Sequence, residues 1–250
     1  MIVCKSEGEL EKMRAAGRVV ARVLDAVAAK TAPGVSTLEL EGVAEKEIAA
    51  AGAEPAFKGY HGYPCVLCTS VNEEIIHGIP SERKLQPGDV VSLDVGVRLD
   101  GFFADSALTV PLEPVTPERM KLLTVTNEAL ACGIAAVRTG GYLGDVSAAI
   151  QKHVEAAGFN VVREFVGHGI GAKLHEEPQV PNYTNPVQGR GPKLQAGMTL
   201  AIEPMVVTGS PAVRMRPDRW CAVTVDGSSA AHFEHTVAVT QNGPWILTEP

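Results

Sequence analysis

Two aspartates, Asp94 and Asp105, are joined by a stretch that reads as a hairpin. The run from Asp89 to Val97 alternates with the period of a strand, placing Val91, Leu93, Val95 and Val97 on one face and Val90, Ser92, Asp94 and Gly96 on the other. Asp100-Gly101 then supplies a two-residue turn that tolerates positive φ, and a second apolar run begins at Phe102. This turn sets Leu99 opposite Phe102, Gly96 opposite Asp105 and Asp94 opposite Ala107. The two carboxylates then share one face as diagonal neighbours, less than about 7–8 Å apart. Carboxylates held so close on an apolar hairpin repel each other and are costly to desolvate, so a positive charge is expected between them.

Taken alone, the pair would also suit a surface hairpin with both groups solvated. Further donors downstream argue against that. His168 stands in Gly167-His168-Gly169-Ile170-Gly171, where glycine lets a ligand approach the backbone. Glu203 and Glu234 lie on or beside further apolar strand-like runs. Four carboxylates and one imidazole exceed what one cation needs but suit two divalent ions about 3.5–4 Å apart, which carboxylates can bridge. Oxygen-rich ligation with one histidine is compatible with manganese, iron, cobalt or zinc. Cys65-x-x-Cys68 has no second pair, so it reads as pocket lining rather than a structural zinc site.

The elements that must position these groups follow an αα-then-hairpin order. Ser6 with Glu9 forms a capping box, and the apolar stripe Leu10, Met13, Val20, Leu24 and Val27 predicts a helix ended by Pro33-Gly34. Ser36 with Glu39 caps a second helix that runs to about Gly52. After Pro111 the order repeats. Thr116-Pro117-Glu118 starts a helix expected to reach about Arg138, and Gly144-Asp145 opens a shorter one closing at Ala156-Ala157-Gly158. Val161 to Val166 reads as a strand leading into the His168 glycines, Leu174 to Gly191 as a loop, and Ala222–Val225 with Ala230–Thr240 as a final strand pair around Asp226-Gly227.

The recurrence extends to residues. Ala50-Ala51-Gly52 returns as Ala156-Ala157-Gly158, His61-Gly62 as His168-Gly169, and the run from Lys84 to Asp94 as that from Lys193 to Glu203. The unit is too long for a solenoid repeat. It predicts one domain made by internal duplication, about residues 7–111 and 117–240, with Glu203 in the place of Asp94 and both near an approximate two-fold axis.

Composition limits the alternatives. A chain of 250 residues, 45% apolar and 20% charged, can bury a substantial α/β core. A net charge of −7 argues against a nucleic-acid-binding surface. The N-terminus lacks the pattern of a secretory leader, and no run reaches the length of a membrane span. Five scattered cysteines suit a reduced, cytoplasmic protein. A monomer is expected.

The motifs Asp94-x10-Asp105, Gly-His168-Gly-Ile-Gly with His175-Glu176-Glu177-Pro178, Ile202-Glu203-Pro204-Met205 and Phe233-Glu234-His235-Thr236 together resemble type I methionine aminopeptidases. The GYHGYP loop and His77-Gly78-Ile79-Pro80 belong to the same resemblance, which runs from about Lys12 to Thr240. No extension precedes the first helix and no long insertion interrupts the second half, as expected of type I rather than type II. The resemblance implies the pita-bread fold: an α/β (α+β) structure of two pseudo-two-fold-related lobes, with helices covering a central antiparallel sheet. It implies two divalent metal ions, one chelated by Asp94, one ligated by His168 and Glu203, and both bridged by Asp105 and Glu234. It also implies removal of the initiator methionine from nascent chains, with ribosome association as a further expectation.

By the same resemblance Glu203 takes a proton from the attacking water, His175 hydrogen-bonds the scissile carbonyl oxygen, and His77 contacts the peptide nitrogen beyond the scissile bond. Tyr60, Tyr63, Cys68, Leu174, Trp220 and Phe233 match the methionine pocket, where sulfur and aromatic rings suit a thioether. Leu174 departs from the pattern, since phenylalanine is usual there, and more tolerance of methionine analogues is expected. His61, His153, His232 and His235 are read as structural, with His232 and His235 at most behind the ligands. Two rivals remain: a proline-specific aminopeptidase or dipeptidase of the same fold, and a non-catalytic binding protein on the scaffold. The tyrosine-rich loop and the complete ligand set disfavour them.

Overall fold

In a computed structural model, residues 1–185 and 189–250 are described. Four long helices form where the caps predict. α1 (Glu7–Lys30) and α2 (Thr37–Ala50) begin at reciprocal capping boxes built on Ser6 and Ser36. α3 (Pro117–Ala135) starts behind the Thr116 cap and stops three residues short of Arg138, its last turn tightened by shared bonds from the Ala136 N–H. α4 (Leu143–Ala156) begins one residue before Gly144, because Tyr142 supplies the cap position and Asp145 bonds back to its N–H.

One large antiparallel sheet carries the chemistry. Across it run Glu54–Pro55, Val90–Leu99, Phe102–Pro111, Glu234–Thr240, Thr199–Ile202, Gly167–Gly169 and Glu176–Val180, with Leu67–Val71 and Gly243–Ile246 pairing beside this path. The hairpin register is the one expected: Leu99 faces Phe102, Gly96 faces Asp105 and Asp94 faces Ala107. α1 and α2 pack Val20, Leu24, Leu40 and Ile48 against Leu67, Leu93 and Val95. α3 and α4 pack Leu122, Leu130 and Ile150 against Leu200, Ile202 and Val237. Each half of the sheet thus has its own pair of helices and its own core.

Paired contacts recur between the halves. Ser36 bridges Lys84 as Tyr142 bridges Lys193. The Gly34 N–H donates to the Leu85 carbonyl at 2.8 Å, and the Gly140 N–H to that of Leu194 at 2.9 Å. Ala53 and Phe159 close their helices with the same backbone bond, to Ile48 and Val154, both at 3.2 Å. These pairs support the proposal of an internal duplication.

Three expectations are corrected. Val161–Val166 is not one strand: pairing stops after Asn160–Val161 and resumes at Gly167, and the bent segment between them turns Phe165 and Val166 towards a cavity. The stretch from Leu174 to Gly191 is not all loop, because Glu176–Val180 forms the last strand of the sheet. Pro178 is compatible with this strand, because a proline is tolerated on an edge strand, where no ladder bond is required of it. Residues 186–188 of that loop lie outside the described residues. The final strand pair is not a hairpin. Ala222–Thr224 pairs with Val213–Met215 and Glu74–Ile76, whereas Ala230–His232 pairs with Met205–Val207. The chain breaks at Phe233, and Glu234–Thr240 enters the large sheet.

Candidate metal centre and active site

The break at Phe233 is what brings Glu234 to the aspartates. Glu234 pairs with Ala107, whose other neighbour is Asp94, so two carboxylates flank one alanine across three strands. Beside this row lies a second, in which Gly96 faces Asp105 and Ala201 lies between His168 and Thr236. Thr236 closes that row: its hydroxyl accepts from the Asp105 N–H at 3.1 Å and lies 3.1 Å from Asp105 Oδ1. Alanine at 107 and 201 keeps the intervening positions small, and the bare backbone of Gly96 admits the Phe57 ring, 2.8 Å from where a Cβ would lie. Glu203 follows directly on the strand Thr199–Ile202, with its backbone carbonyl held by Asn182 Nδ2 at 2.9 Å.

All five residues line one cavity of about 270 Å³. Ligand atoms of Asp105, His168 and Glu234 lie within 4.8 Å of one another. His168 Nε2 is 3.5 Å from Asp105 Oδ2 and 3.6 Å from Glu203 Oε1. The other ring nitrogen, Nδ1, donates to the Gly169 carbonyl at 2.9 Å, which fixes the tautomer and leaves Nε2 facing the carboxylates. Asp94 Oδ1 is buried with no hydrogen-bond partner. A fully desolvated carboxylate oxygen without a donor, beside three further carboxylates, is an arrangement that cations complete.

Protonation follows from this crowding. Burial, then the Asp105 charge, hold Asp94 and Glu234 well above the usual carboxylate range. Burial also raises Glu203 to about 8, with Asp105 and Asp94 adding to it against the opposing His168. Burial opposes charging of His168, but the hydrogen bond and charge of Asp105, with Glu203, drive it up to about 9. Protons thus neutralise the site where cations would otherwise do so. Asp94, Asp105, His168, Glu203 and Glu234 fit divalent cations: oxygen-rich, with one fixed imidazole nitrogen.

The rest of the cavity is apolar and aromatic. Of the residues expected around the substrate, Tyr60, Tyr63, Cys68, His77, Leu174, His175 and Trp220 line it. Phe233 does not; it packs against the core under α3 and α4, because the strand break turns it away from the sheet face that carries Glu234. Phe57, Ile76, Phe165 and Val166 complete the wall without having been anticipated. Phe165 and Val166 were hidden by their apparent strand pattern. Tyr63 is fixed from behind, its hydroxyl reaching the carbonyls of Leu67 and Gly78 at 3.1 and 3.0 Å. Trp220 meets the Tyr63 ring edge-on at 5.1 Å.

His175 sits against His168 with ring centroids 4.1 Å apart, and its Nδ1 lies 2.8 Å from the Tyr60 hydroxyl. A phenol donating there would leave the His175 proton on Nε2. Desolvation, then the neighbouring His168, pull His175 below the ordinary imidazole value; its outer edge stays open to solvent. Burial depresses His77 to about 4, so it too is neutral near pH 7. His61 also lines the cavity, and His232, buried with Nε2 unpaired, lies 3.8 Å from Glu203 Oε2. His153 is remote, bonded to Glu128, and His235 faces Thr248.

Known proteins are similar to this chain over its whole length. The model of metallopeptidase family M24 matches residues 11–241. The methionine aminopeptidase of Clostridium perfringens is 49% identical over 248 residues, covering 99% of both chains. Methionine aminopeptidase 1 of Bacillus subtilis gives the same identity and coverage. The crystal structure of the Thermotoga maritima methionine aminopeptidase superposes with a TM-score of 0.97 at 46% identity, over 100% of both chains. A prolidase from Pyrococcus furiosus shares the fold alone, with a TM-score of 0.78 at 20% identity, this chain covering 66% of it. The carboxylates and histidine gathered on a curled antiparallel sheet, and the match over nearly every residue, thus have one common origin: the chain belongs to metallopeptidase family M24, on its methionine aminopeptidase branch.

Proposed function

We infer that this chain is a methionine aminopeptidase of type I, hydrolysing the first peptide bond of polypeptides that begin with methionine. The observation that carries this reading is the junction of two chemistries in one cavity. The carboxylate and imidazole cluster and the side chains of Tyr63, Cys68, Leu174 and Trp220 line the same cavity of about 270 Å³. Polarizable sulfur and aromatic edges suit a thioether. The relatives of the same length and high identity bear that name.

Two divalent ions, which Asp94, Asp105, His168, Glu203 and Glu234 would hold, would supply Lewis acidity and a water acidic enough to be a nucleophile near neutral pH. Glu203, a carboxylate beside the cluster, would take the proton of the attacking water and return it to the leaving amine. His175, with Nδ1 turned to Tyr60, presents Nε2–H to the scissile carbonyl oxygen as negative charge grows on it. His77, neutral and set beside Phe165 and Trp220, meets the peptide nitrogen beyond the bond. We further propose that the substrates are nascent chains in the cytoplasm; among the described residues no helix is long and apolar enough to cross a membrane.

Release of methionine from Met-Ala-Ser by metal-loaded protein, with metal content measured on the same sample, tests the reading. Turnover with about two ions per chain is expected. Faster turnover of Ala-Pro than of Met-Ala peptides would instead favour a proline-specific enzyme. Glu203→Ala is expected to abolish hydrolysis, and undiminished turnover by that variant would remove Glu203 from its role.

A further inference from the structure

Lys5 is a buried cation that the reaction does not use. Its side chain is 3% exposed, and its ammonium lies 2.6 Å from Glu176 Oε2, a carboxylate itself 11% exposed. It donates also to the Val3 carbonyl at 3.2 Å. The other oxygen of Glu176 accepts from the Lys173 N–H at 3.1 Å. Glu176 directly follows His175, so the pair ties the N-terminal segment to the loop that carries this histidine.

Two glycines are shaped around the lysine. A Cβ on Gly171 would lie 2.3 Å from Lys5 Cε and 2.8 Å from Glu176 Oε1, so the lysine stem passes directly over a bare backbone. A Cβ on Gly197 would lie 2.6 Å from the Lys5 carbonyl oxygen, and the Gly197 carbonyl accepts from the Lys5 N–H at 2.7 Å. The backbone of Lys5 is thereby fixed to the sheet, and its ammonium reaches across Gly171 to the far side of the His175 loop. The loop is tied besides by the Gly171 N–H to the Lys173 carbonyl at 3.0 Å, by Phe103 to the Gly171 carbonyl at 2.8 Å, by Tyr60 to His175 Nδ1 at 2.8 Å and by the pairing of Glu176 with Gly169; among these the Lys5 ammonium is the tie to the N-terminal segment. A desolvated ion pair has few alternative geometries, because leaving this one strands both charges.

We propose that the Lys5–Glu176 pair is a clamp that sets the position of His175, making Lys5 and Glu176 positioning residues for the carbonyl-binding step. The proposal rests on the role of His175 given above. A rival use of the same segment is as a wall for the substrate, since Val3 and Lys5 line a second cavity that shares Val166, His168 and His175 with the first.

The test uses the full-length, metal-loaded enzyme. Lys5→Met alone leaves a buried carboxylate unpaired and can fail to fold, so the informative variant is Lys5→Met with Glu176→Gln, which removes both charges and keeps the packing. Expected are a kcat on Met-Ala-Ser lowered about 10- to 100-fold, KM within about twofold, and faster amide exchange across residues 171–176. In a His175→Ala background the same pair of changes is expected to add nothing to the loss. Unchanged kcat, or an equal further loss in that background, overturns the clamp, as does a KM effect confined to longer peptides, which would mark the segment as a substrate wall. If His175→Ala by itself leaves kcat intact, the role of His175 fails separately, and the exchange rate of 171–176 alone decides: slow exchange in the double variant overturns the clamp, fast exchange upholds it.

Discussion

Removing metal should make stability depend on pH in a direction set by the buried cluster. Asp94, Glu203 and Glu234 are held protonated in the metal-free fold, whereas unfolding exposes them as ordinary acids. A carboxyl whose folded pKa lies above its unfolded value stabilises the fold fully at low pH, and that stabilisation is lost as pH rises through the folded value. Glu203, raised from 4.5 to about 8, loses it across that whole interval. His168, raised to about 9, has the same sign, its contribution present below 6.5 and lost above. The buried neutral histidines His77 and His232, depressed to about 4 and 3, act oppositely, but only below the ordinary imidazole value of 6.5.

The window from about pH 6.5 to 8 therefore isolates the cluster, and one group such as Glu203 is worth about 2 kcal/mol across it. For a chain of this size that corresponds to a fall of about 4–8 °C in Tm. Bound cations hold the carboxylates ionised and release their protons, so the loaded protein escapes this loss and its metal affinity rises with pH. Thermal unfolding of chelator-treated and reloaded protein across the window reads both quantities. A metal-free Tm that stays level or rises, or a gap between the two forms that does not widen with pH, would refute the protonated cluster.

Two substitutions probe the cavity. Tyr60→Phe removes the donor to His175 Nδ1 while keeping the ring stacked at 5.2 Å. Loss of one neutral hydrogen bond of about 0.5–1.5 kcal/mol predicts a kcat lowered roughly 2- to 12-fold, with methionine inhibition little changed. An unaltered kcat would mean that the tautomer is set elsewhere. Leu174→Phe places a larger side chain at a buried wall position and should lower kcat/KM for ethionyl relative to methionyl peptides; a constant ratio would take Leu174 out of the specificity wall.

What was legible in the sequence, and what was not, divides along the range of the signal. Local signals carried far. The capping boxes at Ser6 and Ser36 start helices where expected, and Asp100-Gly101 fixes a register that places Asp94 and Asp105 on one face. The partner of each strand is a different matter, because it depends on residues far away in the chain. Ala222–Val225 and Ala230–Thr240 look like a hairpin through their turn, yet each half finds a better apolar partner elsewhere. Phe233, at the break, accordingly faces the core and not the substrate.

The same break has a functional consequence that reaches beyond topology. Had Glu234 continued the strand Ala230–His232, the register of the small sheet would have set it opposite Glu203, within the second half, and not against Ala107 beside Asp94. Leaving that sheet at Phe233 sets Glu234 against Ala107, between the hairpin of the first half and the Thr199–Ile202 strand of the second. The proposed bridging pair then spans the junction: Asp105 comes from the first half, Glu234 from the strand that joins the halves, and Thr236 on that strand bonds Asp105 directly. Each half alone buries its own helices and core, but neither holds enough carboxylates to compensate two cations. On this argument, cation binding should tighten the association of the halves, because the ligands it neutralises are contributed from both sides of the seam.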